Sequence, residues 1–98
     1  MYKIIDYGFS PRKNKRYRVY MNDGKYYDFG LDGVSKNYLD HKDKTKRDNY
    51  RRRHYANKIE KHLIDNLIPS PALFSYYILW GNSSDITENI RALNKMFS

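Results

Sequence analysis

Apolar and polar positions alternate through "KRYRVYMNDGKYYDFG", residues 15–30. Two β-prone runs, Tyr17 to Met21 and Lys25 to Phe29, flank Asn22, Asp23 and Gly24, and the Asp-Gly step marks a tight hairpin. A period of two puts Tyr17, Val19 and Met21 on one face and Arg16, Arg18 and Tyr20 on the other, so that one face packs while the other carries charge. Gly30, Asp32 and Gly33 then end the strand and open a loop. Upstream, residues 1–15 with their "SPRKNK" stretch read as an extended, mobile basic arm.

Beyond the hairpin the pattern turns helical. Asp40 is placed to cap a helix, with Asp43 in its first turn, and the helix is expected to run to about Ala56 or a few residues beyond. "LIPSPALFSYYILWG" supplies the next one, with Ser70 as N-cap, Pro71 at the first helical position, an aromatic run to Trp80 and Gly81 as the stop. Ser84 or Asp85 caps "ITENIRALNKMF", where Ile86, Ile90, Leu93 and Phe97 recur on one helical face. These elements predict a single α+β domain over residues 1–98, a small N-terminal β-hairpin followed by about three α-helices. Neither an internal repeat nor a linker divides it.

Charge changes the picture. Nineteen Lys and Arg against eleven Asp and Glu give a net charge of +8, and "HKDKTKRDNYRRRHY" at 41–55 concentrates much of it. An acidic partner follows: protein, nucleic acid or anionic lipid. On a helical wheel Lys42, Lys46 and Arg53 lie along one flank, and Lys44, Arg51 and Lys58 along another. Between them run Asp43, Arg47, Tyr50 and His54, the expected docked face, with Tyr50 and His54 burying ring surface while Asp43 and Arg47 pair. The side chains expected to meet partners are Arg12, Lys13, Arg16, Arg18, Lys42, Lys44, Lys46, Arg51, Arg52 and Arg53, joined by Tyr76 and Trp80. A chain of 98 residues sits near the lower limit for an ample core, which also favours support from neighbours.

Catalytic patterns are missing. The chain has no cysteine, and His41, His54 and His62 lack the spacing of a metal site. No glycine-rich phosphate loop or nucleophile elbow occurs, and Asp28, Asp32, Asp40 and Asp43 fit turns and caps. We therefore expect no enzyme, no cofactor, no metal and no small-molecule substrate. The N-terminus lacks a long apolar run, so neither a signal peptide nor a membrane span is expected. Among the eleven tyrosines, Tyr17, Tyr26, Tyr27, Tyr76 and Tyr77 fall inside apolar patterns and are read as packing rather than base-stacking groups. The arginines at 51–53 and Asn49 point in different directions, unlike a base-reading helix.

In order along the chain, "YRV" at Tyr17 to Val19, "DGKYYDFG" at Asp23 to Gly30, "HKD" at His41 to Asp43, "KRDNY" at Lys46 to Tyr50, "RH" at Arg53 and His54, and "LFSYYILW" at Leu73 to Trp80 form a series. It resembles a family of small basic proteins of uncharacterised function encoded by large nucleocytoplasmic DNA viruses. The resemblance covers roughly residues 10 to 97. Family members carry a Trp-rich F-W-S-R-W-x-L-W stretch at the last segment, so Tyr76 stands at the family's Arg and Tyr77 at a Trp. The resemblance implies association with virions. With the charge and the aromatic helix, it leads us to expect a minor capsid (cement) protein, made in the host cytoplasm and housed in the capsid. There it would bridge acidic patches of the major capsid protein and of other minor capsid proteins. The alternative is a virion protein that neutralises packaged DNA non-specifically. Contact with an anionic inner membrane fits the charge but lacks a clean basic amphipathic helix.

Overall fold

A computed structural model describes residues 1–31 and 38–98, with the backbone alone at Leu31 and His41. The loop expected at Asp32 and Gly33 lies outside the described residues. Three antiparallel strands, β1 (Ile4–Phe9), β2 (Lys15–Met21) and β3 (Tyr26–Leu31), form a sheet in the order β1-β2-β3. The hairpin is as the alternation predicts. Tyr20 pairs with Tyr26 and Tyr17 with Phe29, while Gly24 turns the chain at a φ of 87°, a left-handed conformation that suits glycine.

The basic arm expected over residues 1–15 is instead largely strand and turn. Ile4 to Phe9 pair with β2, placing Tyr7 opposite Val19 and Phe9 opposite Tyr17. The Phe9 ring stacks on Tyr17 with centroids 5.7 Å apart, a cross-strand pair of the kind that fixes register. Arg12 and Lys13 sit exposed at the turn between these strands, where Asn14 takes a φ of 71°, which asparagine tolerates better than most residues.

Among the described residues six segments with helical geometry follow: α1 (Tyr38–His41), α2 (Lys44–Ala56), α3 (Lys58–Asp65), α4 (Pro71–Phe74), a π-helical turn (Ser75–Leu79) that continues α4, and α5 (Ile86–Phe97). The single helix expected from Asp40 is thus divided. Lys42 enters the left-handed region at a φ of 56°, and Asp43 starts α2 by accepting the amides of Thr45 (3.0 Å) and Lys46 (3.1 Å). Asp40 pairs with Arg16, whose Nη2 donates to Oδ1 at 2.6 Å. Asn57 both ends α2 and caps α3 through the amides of Ile59 and Glu60. Ser70 and Pro71 open α4 as predicted, and Asp85 caps α5 through Thr87 and Glu88.

The core lies between the inner face of the sheet and the C-terminal half of the chain. Val19, Met21 and Phe29 meet Leu73, Phe74, Ile78, Leu79, Ile90 and Leu93, all buried. On the outer face Asp28 is also buried. It accepts from Arg18 Nε at 2.8 Å, Arg18 Nη2 at 3.0 Å and Ser10 Oγ at 2.7 Å. The Arg18 guanidinium covers the Tyr26 ring at 3.9 Å, so the charged face foreseen for β2 is internally neutralised.

Those bonds, with Arg18 foremost, hold the Asp28 carboxyl below the usual carboxylate range against the opposing effect of burial. A depressed folded-state pKa gives a contribution that is full above the unfolded value of about 3.9 and lost as pH falls through the folded value. Acid unfolding followed by circular dichroism should therefore be steeper for wild type than for Asp28→Asn. Parallel curves would show that the pair does not contribute to acid sensitivity.

Candidate functional site

The basic helix α2 divides into a docked side and an outward side. On the docked side Tyr50 stacks on Trp80, with centroids 4.1 Å apart and planes 12° apart. His54 covers Tyr50 at 4.0 Å. Burial pushes the Tyr50 hydroxyl up to about 12, and nearby Glu60 acts in the same direction. Arg47 lies over the Tyr38 ring at 4.9 Å and pairs with Asp48 at 3.0 Å. The seam of Arg47, Tyr50 and His54 foreseen on the wheel is the one that docks. Asp43 contributes to it as the helix cap.

Arg51, expected to meet partners, is also held by the fold on this side. Its Nε donates to the Trp80 carbonyl at 2.6 Å and its Nη2 to Asn82 Oδ1 at 3.1 Å. Burial, then the neighbouring Arg47 charge, lowers its pKa. The sharp turn at Gly81 presents that carbonyl to Arg51. A Cβ there would fall 2.2 Å from the Tyr77 carbonyl oxygen and 2.6 Å from Asn89 Cγ, so only glycine fits.

Trp80 is likewise withdrawn from partner contact, being 9% exposed beneath Tyr50. Arg16 and Arg18 are occupied by Asp40 and Asp28. Arg12 stays largely exposed, 3.9 Å from Asp28, and Lys13 is exposed on the same turn.

The outward side gathers the remaining predicted cations. Lys42, Lys44, Lys46, Arg52 and Arg53 are exposed, and among the described residues none of them forms an ion pair. Lys46, Asn49, Arg52, Arg53 and Ala56 line an open groove along this side. A second groove, lined by Arg51, Arg52, Tyr55, Ala56 and Tyr76, adjoins it. Arg52 and Ala56 are common to both. Tyr76, expected to meet partners, is partly buried and lines this second groove beside Arg51 and Arg52. Its ring lies 6.3 Å from Tyr55 and under the Arg51 guanidinium at 5.4 Å. Tyr55 was not foreseen at this surface. Its spacing from Arg52 is the helical i, i+3, but its pairing with a residue of the π-helical turn is not local information.

A cleft of about 240 Å³ opens behind α2, lined by Lys15, Tyr50, His54, Glu60, Ser75 and Trp80 among others. His54 Nδ1 lies 2.9 Å from Glu60 Oε2, off the direction a hydrogen bond requires. Among the described residues, no three His, Cys, Asp or Glu side chains cluster so as to hold a metal, and no helix is long and apolar enough to cross a membrane.

A model of a family of unknown function (DUF5754) matches residues 6–54, which is 49 of the 98 residues. The match begins in β1 and ends at His54, so it takes in the sheet and most of α2. No curated protein and no solved structure matches the chain.

Proposed function

We propose that this chain, which belongs to the family of unknown function (DUF5754), is a non-enzymatic binding protein that docks acidic protein surfaces on the outward side of α2. In the virion that the sequence resemblance implies, this is the role of a minor capsid (cement) protein. It would bridge the major capsid protein and other minor capsid proteins. One observation carries the reading. Arginines turned toward the fold are engaged by Asp40, Asp28, Asp48 and the Trp80 carbonyl, whereas among the described residues Lys44, Lys46, Arg52 and Arg53 on the outward side form no ion pair.

The apolar faces of the aromatic helix and of α5 close the chain's own core and are not free to fill a seam between subunits. Tyr55 and Tyr76 take that place. An interface that pairs Arg with Tyr and excludes water at its centre is common between proteins. Neutralisation of packaged duplex DNA, the second reading, uses the same cations through counterion release. It leaves the aromatic groove without a role, because a stacked duplex offers no free base face to Tyr76.

Opened virions washed in about 0.5 M salt, where screening is strong, should retain the protein on the empty shell. Purified protein should rebind stripped shells. K46E/R52E/R53E should not, and it should melt as wild type because these side chains are exposed. Recovery of the chain with the DNA, and its release from DNA by salt, would contradict a capsid role.

A further inference from the structure

We propose a second docking surface, for an acidic polypeptide segment, in the groove between the N-terminal strand β1 and helix α5. Lys3, Thr87, Ile90, Arg91, Asn94 and Lys95 line it. Ser98 lines it as well, and of these seven side chains three are cationic and none is acidic. Lys3, Arg91 and Lys95 are exposed, and among the described residues none of the three forms an ion pair.

The groove is held in shape by bonds distant in sequence. Asn94 Oδ1 accepts the Ile4 amide at 2.8 Å, and Asn94 Nδ2 donates to the Ile4 carbonyl at 3.0 Å. The Tyr7 hydroxyl meets the Thr87 hydroxyl at 2.5 Å. These contacts set Lys3 against the Thr87, Arg91 and Lys95 stripe, whose members recur every four residues on one face of α5. Buried Ile90 forms the floor.

The same bonds decide how a ligand binds. A strand edge invites another strand to extend the sheet, but here Asn94 occupies both backbone groups of Ile4, and Asp6 Oδ1 accepts the Tyr7 amide at 2.8 Å. Recognition therefore runs through side chains, with ligand carboxylates meeting Lys3, Arg91 and Lys95. Ile90 gives the groove an apolar floor, and exposed Tyr2 and Met96 adjoin Lys3 and Lys95 in the chain, Tyr2 lying edge-on to Phe97 at 5.8 Å. That mixture suits a polypeptide better than a phosphate backbone.

The proposal rests on the preceding reading only in taking protein as the partner. It adds valency: with one basic surface on α2 and another at α5, a single copy bridges two acidic neighbours. The experiment uses a fluorescent Glu-Gly repeat peptide and beads coated with it. In the K46E/R52E/R53E background, adding K3E/R91E/K95E should weaken peptide binding at least about tenfold, the scale of several exposed ion pairs lost together. Reversing three exposed lysines elsewhere, K13E/K25E/K58E, changes net charge equally and should weaken binding less. Wild type should agglutinate the beads, and K3E/R91E/K95E alone should not. The neutral pair R91Q/K95Q, which leaves the helix its propensity, should show the same loss in smaller degree.

Equal weakening by the control triple, or agglutination by K3E/R91E/K95E at the wild-type level, would overturn the second surface. So would loss of duplex-DNA binding without loss of peptide binding in that variant. If K46E/R52E/R53E binds peptide as wild type does while K3E/R91E/K95E loses it, the α2 reading fails and the α5 surface stands.

Discussion

Asn89→Leu is expected to lower stability by about 3–5 kcal/mol, because three backbone groups, one of them in a fully buried bond, lose their side-chain partner at once. Asn89 is 3% exposed. Its Nδ2 donates to the carbonyls of Ile78 at 2.9 Å and Ser83 at 2.7 Å, and its Oδ1 accepts the Ser83 amide at 3.0 Å. The π-helical turn ends beside these groups and the chain reverses at Gly81, so regular helix bonding no longer serves them. Leucine keeps the branched shape of the side chain but is bulkier, so overpacking beside Gly81 adds to the lost hydrogen bonding. Urea unfolding measures it directly. A change below about 1 kcal/mol would mean that water satisfies the stranded carbonyls. The effect should reach function, because this turn presents the Trp80 carbonyl to Arg51 and so helps orient α2.

Tyr50→Ala should cost about 2–4 kcal/mol, the range for removing a packed aromatic side chain. The Tyr50 ring is the middle layer of a stack between His54 and Trp80. No residue of α2 is fully buried, so this layer, with Arg47 and Arg51, carries most of the attachment of the basic helix. Tyr50→Phe keeps the stacked ring and should lose far less. Thermal melts of the two variants test the point, and equal melting temperatures for Tyr50→Ala and wild type would show that α2 is held by other contacts. Loss of shell rebinding should accompany loss of the stack, since the outward cations would no longer share one orientation.

Much of the fold was legible because its signals are local. The Asp23-Gly24 turn, the Ser70-Pro71 start and the Asp85 cap each depend on neighbours within a few residues, and each appears where the pattern put it. The Tyr50 and His54 seam was legible from periodicity. What failed depended on distant partners. In β1 a bulge between Ile4 and Asp6 breaks the alternation, and its burial is settled by Asn94 at the other end of the chain. Asp40 and Asp43 are equally good caps locally, and the start of α2 at Asp43 goes with an Asp40 engaged by Arg16 on β2. Arg51 lies at the border between the docked and outward sides of α2, where angle alone does not say that a carbonyl bared at Gly81 awaits it. The grooves beside Arg52 and between β1 and α5 combine elements far apart in sequence.

A density map of the intact virion with side chains visible is the most direct test of the docking role of α2. The expected result is the chain within the capsid layer. Arg52 and Arg53 should lie within about 4 Å of carboxylates from a neighbouring protein, the distance of an ion pair, with Tyr76 covered by the same neighbour. A chain whose α2 outward side faces the genome or open solvent, with no protein across Arg52, Arg53 and Tyr76, would contradict it.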